Sequence, residues 1–190
     1  MTAAAPRAPV VPLPRRPEPE RVDPATQQRR QLSYSMTLAG ARARAVLTAA
    51  GSVRRRQSLQ VCSAARLLAA LGIRVVVVQP PTAWPRHRAQ RILVRNEAGV
   101  LGDLALLTAV PRTARGWAAV ADRVLPVGTP QRAAGPVEDD AVRCPVTVTY
   151  RTDDGPLASP PRTVDEVVGI RGLVVEVRLL AADREVSRAA

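Results

Sequence analysis

Apolar residues recur with a helical period in two stretches near the start of the chain. The first lies between Gln31 and Ala50, and the second runs from Arg54 to Leu71. An apolar stripe along one face of a helix is the signature of an amphipathic helix. Gly72 follows the second stretch, and glycine is the residue that most readily takes the left-handed conformation just beyond a helix end. The pattern therefore predicts two consecutive helices, the second ending at Gly72.

Runs of β-branched residues predict the strands. Ile73 to Val78 and Arg91 to Arg95 are short apolar runs of the kind found in buried strands. Val146 to Arg151 alternates between apolar and polar residues and ends at a turn. Arg123 to Pro126 and Leu173 to Leu180 complete the set, so the sequence predicts about five strands.

Helical segments separate these strands. The run from Leu104 to Val110 is apolar and helical, and Trp117 to Val120 continues the same tendency. Thr163 with Glu166 three residues later forms a capping box, which predicts a short helix closing at Gly172. Helices that alternate with strands predict an α/β fold, a layered sheet of about five strands flanked by helices.

The composition of residues 1–30 predicts a disordered tail rich in Pro and Arg. Seven prolines fall between Pro6 and Pro24, and proline at that density disfavours both helix and sheet. We divide the chain into a tail at 1–30, an amphipathic helix at 31–53 and a folded domain at 54–190. Arg42 and Arg44 interrupt the apolar run of the helix, so we expect it to lie on a membrane surface without crossing it.

The charge of the chain favours anionic partners. All 28 basic residues are Arg, and with 16 acidic residues the formal net charge is +12. Phosphate groups, acidic lipid headgroups and nucleic acid would all be attracted to such a chain. The complete preference for Arg over Lys is also typical of codon usage in a GC-rich genome, so it does not by itself select phosphate.

Arg54, Arg55 and Arg56 stand together at the start of the second predicted helix. Positive charge is unfavourable at the positive end of a helix dipole, which favours an anionic partner at this place. A solvated helix end is the alternative interpretation.

Composition argues against a nucleic-acid-binding protein, a metal or redox protein and a secreted protein. Aromatic residues make up only 2% of the chain, and no helix-turn-helix or RNP-like pattern occurs, so nucleic acid is not the expected partner.

Cys62 and Cys144 lack metal-ligand or redox spacing, which predicts two buried thiols in a reducing compartment and no metal site. The first residues contain no apolar segment of the secretory type. We therefore expect a cytoplasmic protein.

The turn after the second strand is the expected location of any chemistry. Ala98, Gly99 and Gly102 separate Asn96 from the apolar helix that follows. In α/β proteins, a strand that ends in a turn of small residues and leads into a helix commonly carries a reactive group. His87 lies elsewhere, between two Arg residues, and is expected to be exposed in a loop.

Five blocks occur in an order that resembles the PlsC-type 1-acylglycerol-3-phosphate acyltransferases of the glycerophospholipid acyltransferase superfamily. Together they cover about Arg54 to Leu180, and their order carries the resemblance. The blocks are AARLLAALGIRVVV (Ala64 to Val77), ILVRNEAGVLGDLALLTAVP (Ile92 to Pro111), LPVGTPQRAAGP (Leu125 to Pro136), VTVTYRTDDG (Val146 to Gly155) and TVDEVVGIRGLVVEVRLL (Thr163 to Leu180).

The resemblance implies acyl transfer to lysophosphatidate at a membrane surface. The acyl donor would be acyl-CoA or acyl-carrier protein, with no resident cofactor. In the family a His removes the proton of the acceptor hydroxyl, and an Asp five positions later orients that His. Here Glu97 stands at the His position and Gly102 at the Asp position, with Asp103 one residue late. Glu97 and Asp103 are therefore the catalytic positions that the resemblance implies.

The same resemblance implies four substrate-binding residues, which are Asn96, Gly128, Thr129 and Arg132. The phosphate block has Val127 where the family has Glu, and the interval between the two blocks is shorter than in the family. The expected protein is an acyltransferase-like protein with a degenerate motif and little activity.

We expect this protein to associate peripherally with anionic phospholipids at the inner face of the cell membrane. The alternative is a catalytically inactive relative that serves as a basic lipid-surface or partner-binding module. The sequence does not define an oligomeric state.

Overall fold

Helices and a mixed sheet make up the part of the chain that the computed structural model describes, residues 18–48, 52–96, 99–113, 116–125, 141–157 and 159–184. The helices are α1 (Pro24–Leu47), α2 (Val53–Ala70), α3 (Val100–Ala109), α4 (Trp117–Val124) and α5 (Val164–Val168), with a 3-10 turn at Arg88–Gln90. The strands are β1 (Arg74–Val78), β2 (Arg91–Arg95), β3 (Val142–Thr152), β4 (Gly155–Pro156), β5 (Val174–Leu179) and β6 (Asp183–Arg184). The predicted α/β layered fold is confirmed.

The sheet is built around β3. Its main strands lie in the order β1-β5-β3-β2, and the short strands β4 and β6 also pair with β3. β1 runs parallel to β5 and β2 parallel to β3, whereas β3 and β5 are antiparallel. The sheet is therefore mixed, and β1 and β2 form its two ends.

One face of the sheet packs against helices. The core joins Leu67 of α2 and Leu104 of α3 to Val146 and Val175 of the sheet, all of them buried. On the other face, alternate residues of β3 such as Thr149 and Arg151 are exposed. The fold thus has a covered apolar face and an open polar one, as expected when alternate side chains of a strand point to opposite faces.

The start of α1 corrects the predicted tail. Asp23 is the N-cap and accepts a hydrogen bond from the amide of Thr26 at 2.9 Å, and Pro24 occupies the first turn. Proline suits that position because its missing N–H would have no partner there. Residues 24–30 are therefore helical, contrary to the predicted disorder of 1–30, and residues 1–17 lie outside the described part.

Hydrogen bonds to residues that are distant in the sequence hold α1 against the rest of the protein. The guanidinium of Arg30 donates to the carbonyls of Val168 at 3.3 Å and Ile170 at 2.9 Å. Just before α1, the carbonyl of Glu20 accepts from the amide of Arg171 at 2.8 Å. α1 therefore packs against α5 as well as α2.

The strand predicted at Arg123 to Pro126 is wrong. Arg123 and Val124 belong to α4, because Trp117, Val120 and Ala121 recur at helical spacing and are all buried on one side of the helix. Pro126 lies outside the described residues.

The end of the last helix also differs from the prediction. The hydroxyl of Thr163 accepts from the amide of Glu166 at 3.2 Å, as in the predicted capping box, while the carboxylate of Glu166 accepts from the amide of Arg162 at 2.7 Å. The helix ends at Val168, before the predicted Gly172. Gly172 instead has a φ of 63°, and a side chain there would meet the carboxylate of Asp153, so it forms the turn into β5.

The two cysteines lie in different environments. Cys144 is buried in β3, as predicted, whereas Cys62 of α2 is exposed. The prediction of two buried thiols is therefore wrong for Cys62, whose helix turns this position outward.

Candidate functional site

Asn96 extends the sheet beyond the end of β2. Its backbone amide donates to the carbonyl of Val146 at 3.3 Å. Its side-chain Nδ2 donates to the carbonyl of Val148 at 3.1 Å, and its Oδ1 accepts from the amide of Val148 at 3.0 Å. Both polar atoms of the Asn96 side chain are thus engaged with the backbone of β3.

Asp103 lies in the first turn of α3 and is held between two arginines. The guanidinium of Arg95, at the end of β2, forms an ion pair and hydrogen bond with Oδ1. Nε of Arg123, on α4, lies 3.3 Å from Oδ2. The side chain of Asp103 is only 7% exposed, so these cations compensate a carboxylate that is largely removed from water.

The electrostatics of Asp103 combine two opposing effects. Burial raises the pKa of Asp103 above its usual value, while the charge and hydrogen bond of Arg95 lower it. Burial is the larger effect, so the net direction is upward. Because both carboxylate oxygens already contact arginines, Asp103 is placed to join β2, α3 and α4.

Tyr150 of β3 lies beside this cluster. Its hydroxyl is buried and has no hydrogen-bond partner within the described residues. Burial raises the pKa of Tyr150, and the negative charge of Asp103 raises it further. The amide of Gly102 favours the ionised hydroxyl but does not form a hydrogen bond with it.

Of the six residues that the resemblance implies for catalysis and substrate binding, two lie in the described part of the chain. Asn96 and Asp103 lie at the two sides of the turn between β2 and α3. Glu97, Gly128, Thr129 and Arg132 lie outside the described residues. His87 is exposed, as predicted.

The sequence reasoning missed Arg95, Arg123 and Tyr150. One signal was available, because Asp103 is the single charge in the apolar helix VLGDLALLTA. A buried carboxylate requires a cation or several donors. The sequence therefore predicts that Asp103 has a cationic partner. It does not identify that partner, because Arg95 and Arg123 belong to different elements of the fold.

A second site lies between α1 and α2. Arg44, Arg55 and Arg66 line an open groove of about 530 Å³, together with Leu47 and Leu59. Of the predicted Arg54–Arg56 cluster, Arg55 thus faces this groove. The groove therefore combines three guanidinium groups with apolar side chains.

The three groove arginines have no compensating acid in the described part of the chain. None of their side chains forms an ion pair or hydrogen bond with a described residue. This distinguishes them from Arg95, Arg151 and Arg178, which all pair with carboxylates. Three uncompensated cations in one groove form a strong positive field.

Large apolar side chains are exposed at the same end of the two helices. Leu47 is 84% exposed and Val46 is 76% exposed, and both lie at the end of α1. Val53, at the start of α2, is 43% exposed. We name these three residues the hairpin tip.

Neither helix of this hairpin meets the requirements of a membrane span. Across the described residues, each helix falls short of the length or the apolar character that crossing a bilayer demands.

No protein-family model, curated protein or solved structure matches this chain.

Proposed function

We propose that the protein binds anionic phospholipid surfaces through the α1–α2 hairpin, as a non-catalytic module on an acyltransferase-like scaffold. The groove formed by Arg44, Arg55 and Arg66 is the observation that carries this proposal. Two further observations support it, namely the exposed hairpin tip and the occupied polar groups of Asn96 and Asp103.

The groove suits a phosphate group. Guanidinium groups bind phosphate oxygens through paired N–H donors, and the groove arginines have no ion pair with a described residue to break. Each basic side chain near an anionic membrane contributes about 1 kcal/mol of binding free energy. Three such side chains therefore give an attraction that depends on the charge of the membrane and weakens as salt rises.

The hairpin tip suits the interfacial region of a bilayer. Val46 and Leu47 lie beside the groove and are largely exposed to water. Moving an apolar side chain of this size out of water contributes about 1.5–3 kcal/mol. Charge and apolar contact would then act together, which is the usual requirement for stable peripheral binding.

At the turn between β2 and α3, two of the residues that the resemblance implies for acyl transfer are engaged within the fold. Asn96 is bonded to the backbone of β3, and Asp103 contacts Arg95 and Arg123. The family's His, which acts as its general base, is replaced by Glu97 in this sequence. We therefore favour the catalytically inactive alternative over the active acyltransferase.

Vesicle sedimentation tests the proposal. The purified protein should pellet with vesicles that contain phosphatidylglycerol and should stay in the supernatant with vesicles of pure phosphatidylcholine. Binding should weaken as salt rises. The variant Arg44→Gln/Arg55→Gln/Arg66→Gln should lose most of the binding, since three contributions of about 1 kcal/mol correspond to roughly a hundredfold loss of affinity.

A matched variant controls for net charge. Arg86→Gln/Arg88→Gln/Arg162→Gln removes the same charge from three exposed arginines outside the groove. This control should keep most of the binding. Equal losses in the two triple variants would mean that overall charge, and not the groove, causes the attraction. Equal binding to neutral and anionic vesicles would reject the electrostatic basis altogether.

A further inference from the structure

We propose that the edge of β1 that no described strand covers is a self-association site, where a second copy of this chain pairs antiparallel to form one continuous sheet across two protomers. This inference rests on the edge of the sheet and does not depend on lipid binding. It concerns the side of β1 that faces away from β5.

The two ends of the sheet differ in how they are protected. At the β2 end, Gly116 approaches so closely that a side chain on it would lie 3.0 Å from the carbonyl oxygen of Leu93. Arg91 and Arg95 also bound β2 at both ends. At the β1 end, β5 is the only strand of the described chain that pairs with β1. Beyond Arg74, β1 consists of valines alone, and an open edge without charge in its centre is a place where another strand can add.

The hydrogen-bond register shows which groups of β1 are open. The amide of Arg74 donates to the carbonyl of Leu173 at 3.2 Å, and β1 pairs in parallel with β5. In a parallel pair, alternate residues direct both of their backbone groups toward the partner strand. Arg74, Val76 and Val78 therefore bond to β5, and the N–H and C=O groups of Val75 and Val77 point outward.

These outward groups are self-complementary about Val76. If a second β1 lies antiparallel with Val76 opposite its own copy, Val75 of each chain faces Val77 of the other. Each such pair exchanges two hydrogen bonds, which is the arrangement of a hydrogen-bonded antiparallel pair. Every outward N–H and C=O of Val75 and Val77 then has a partner.

The side chains agree with the same register. Val76 is 38% exposed and Val77 is 36% exposed, although both lie in a strand. In the paired arrangement, Val76 meets Val76 on one face and Val75 meets Val77 on the other, so apolar groups face apolar groups. Arg74 falls opposite Val78, which keeps the two copies of Arg74 apart. A partner with this same sequence is therefore well suited to the edge.

The net charge of the chain opposes this pairing. Each copy carries a formal charge of +12, so two copies repel each other at low salt. The strand contact is also small beside the roughly 1,200 Å² or more that stable interfaces bury. We therefore expect a weak dimer that forms at high protein concentration and is strengthened by salt.

Sedimentation velocity on the full chain tests the proposal through the variant Val76→Arg. In the dimer this change places like charges directly opposite each other, at a Cα separation of about 4.5 Å. In the monomer the new side chain lies beside Glu176, its register partner on β5, so the fold should tolerate it. The dissociation constant should rise at least about tenfold, equal to about 1.4 kcal/mol.

Val94→Arg is the matched control. Val94 is 42% exposed and lies on β2, at the opposite end of the sheet, so the charge added is the same but the edge differs. Its dimerisation should match that of the wild type at equal salt. A dimer that survives Val76→Arg, or one that is lost in Val94→Arg alone, would overturn the proposal. So would a wild-type protein that stays monomeric at high concentration and high salt, or one that forms open-ended assemblies.

Amide hydrogen exchange on the wild type gives a test that needs no variant. The amides of Val75 and Val77 should exchange more slowly as protein concentration rises, because dimerisation gives them partners. The amide of Val76 bonds to β5 within each chain and should be protected at every concentration. Exchange at Val75 and Val77 that is independent of concentration, in a sample that does dimerise, would place the interface elsewhere.

Discussion

The guanidinium of Arg95 and the carboxylate of Asp103 form an ion pair across the turn that joins β2 to α3. The Arg95 side chain is 19% exposed and that of Asp103 is 7% exposed, so the pair is shielded from water on most sides. It connects the last residue of a strand at the end of the sheet to the first turn of the most apolar helix. The two elements are therefore joined by charge as well as by packing.

Arg95→Met should destabilise the protein. Breaking a fully buried pair costs about 3–5 kcal/mol, and we expect about 1–3 kcal/mol here because Arg95 is partly exposed and Arg123 remains. The double variant Arg95→Met/Asp103→Leu should recover much of the loss, since the charge that remains, on Arg123, is 56% exposed to water. Urea unfolding of both variants measures the difference.

Arg74→Met provides the control for this measurement. Arg74 pairs with Asp153, and their side chains are 70% and 77% exposed. Exposed pairs contribute about 0–1 kcal/mol, so this variant should unfold close to the wild type. A loss as large as that of Arg95→Met would show that burial does not determine the cost.

The stability of the wild type relative to Asp103→Asn should decrease as pH rises. Burial raises the pKa of Asp103 in the folded state above 3.8. Between 3.8 and that raised pKa, the folded state binds more protons than the unfolded state, so the free energy of unfolding falls with increasing pH. Below pH 3.8 the Asp103 side chain is neutral in both the folded and the unfolded state. The wild type and Asp103→Asn should then show the same pH dependence of stability.

Chemical denaturation at a series of pH values, starting near pH 3.5 and moving upward, checks this sign. The difference in unfolding free energy should shift in favour of Asp103→Asn across the window. A shift in the opposite direction would mean that Arg95 outweighs burial and that the folded pKa lies below 3.8.

Tyr150→Phe should leave the protein as stable as the wild type, or more stable. The hydroxyl of Tyr150 is buried without a hydrogen-bond partner in the described chain. Removing an unsatisfied buried hydroxyl takes away a desolvation cost of about 1–3 kcal/mol and leaves the packing of the ring unchanged. Thermal and urea unfolding measure the result. A loss of more than about 1 kcal/mol would instead indicate that the hydroxyl is hydrogen-bonded in solution.

The protein should transfer little or no acyl chain from acyl-CoA to lysophosphatidate. Loss of a general base lowers a rate by about 10²- to 10⁴-fold, and Glu97 stands where the resembled family has its His. A radiolabelled transfer assay measures the rate. Robust transfer that disappears in Glu97→Gln would establish Glu97 as a base.

Local sequence signals predicted the elements they directly encode. The β-branched runs located β1, β2 and β5 to within a residue or two, because β-branched residues favour strands. The errors fell where a short signal was ambiguous. The strand predicted at Arg123 to Pro126 rested on a very short segment, and the burial of Trp117, Val120 and Ala121 shows that Arg123 and Val124 continue a helix. The density of proline places Pro24 in the predicted tail, although Asp23 before it makes it the start of a helix.

The candidate sites were less predictable than the fold. Asp103 stood out in the sequence, but its partners come from β2 and α4, and only the tertiary packing brings them together. The groove depends on how α1 and α2 pack, which decides that Arg44 and Arg66 face the same space as Arg55. A linear pattern identifies Arg54–Arg56 as a cluster, yet the cluster that the fold creates joins residues from two helices.

The position of β3 in the chain has a consequence for synthesis on the ribosome. β3 pairs with β2, β4, β5 and β6, but it begins only at Val142, and β5 begins only at Val174. The α1–α2 hairpin is synthesised before either strand. The hydrogen bonds from Arg30 to the carbonyls of Val168 and Ile170 can form only after those residues have been synthesised. At about 5–20 residues per second, several seconds pass in which β1 and β2 have no partner strand. The nascent chain therefore exposes its apolar strands during that interval.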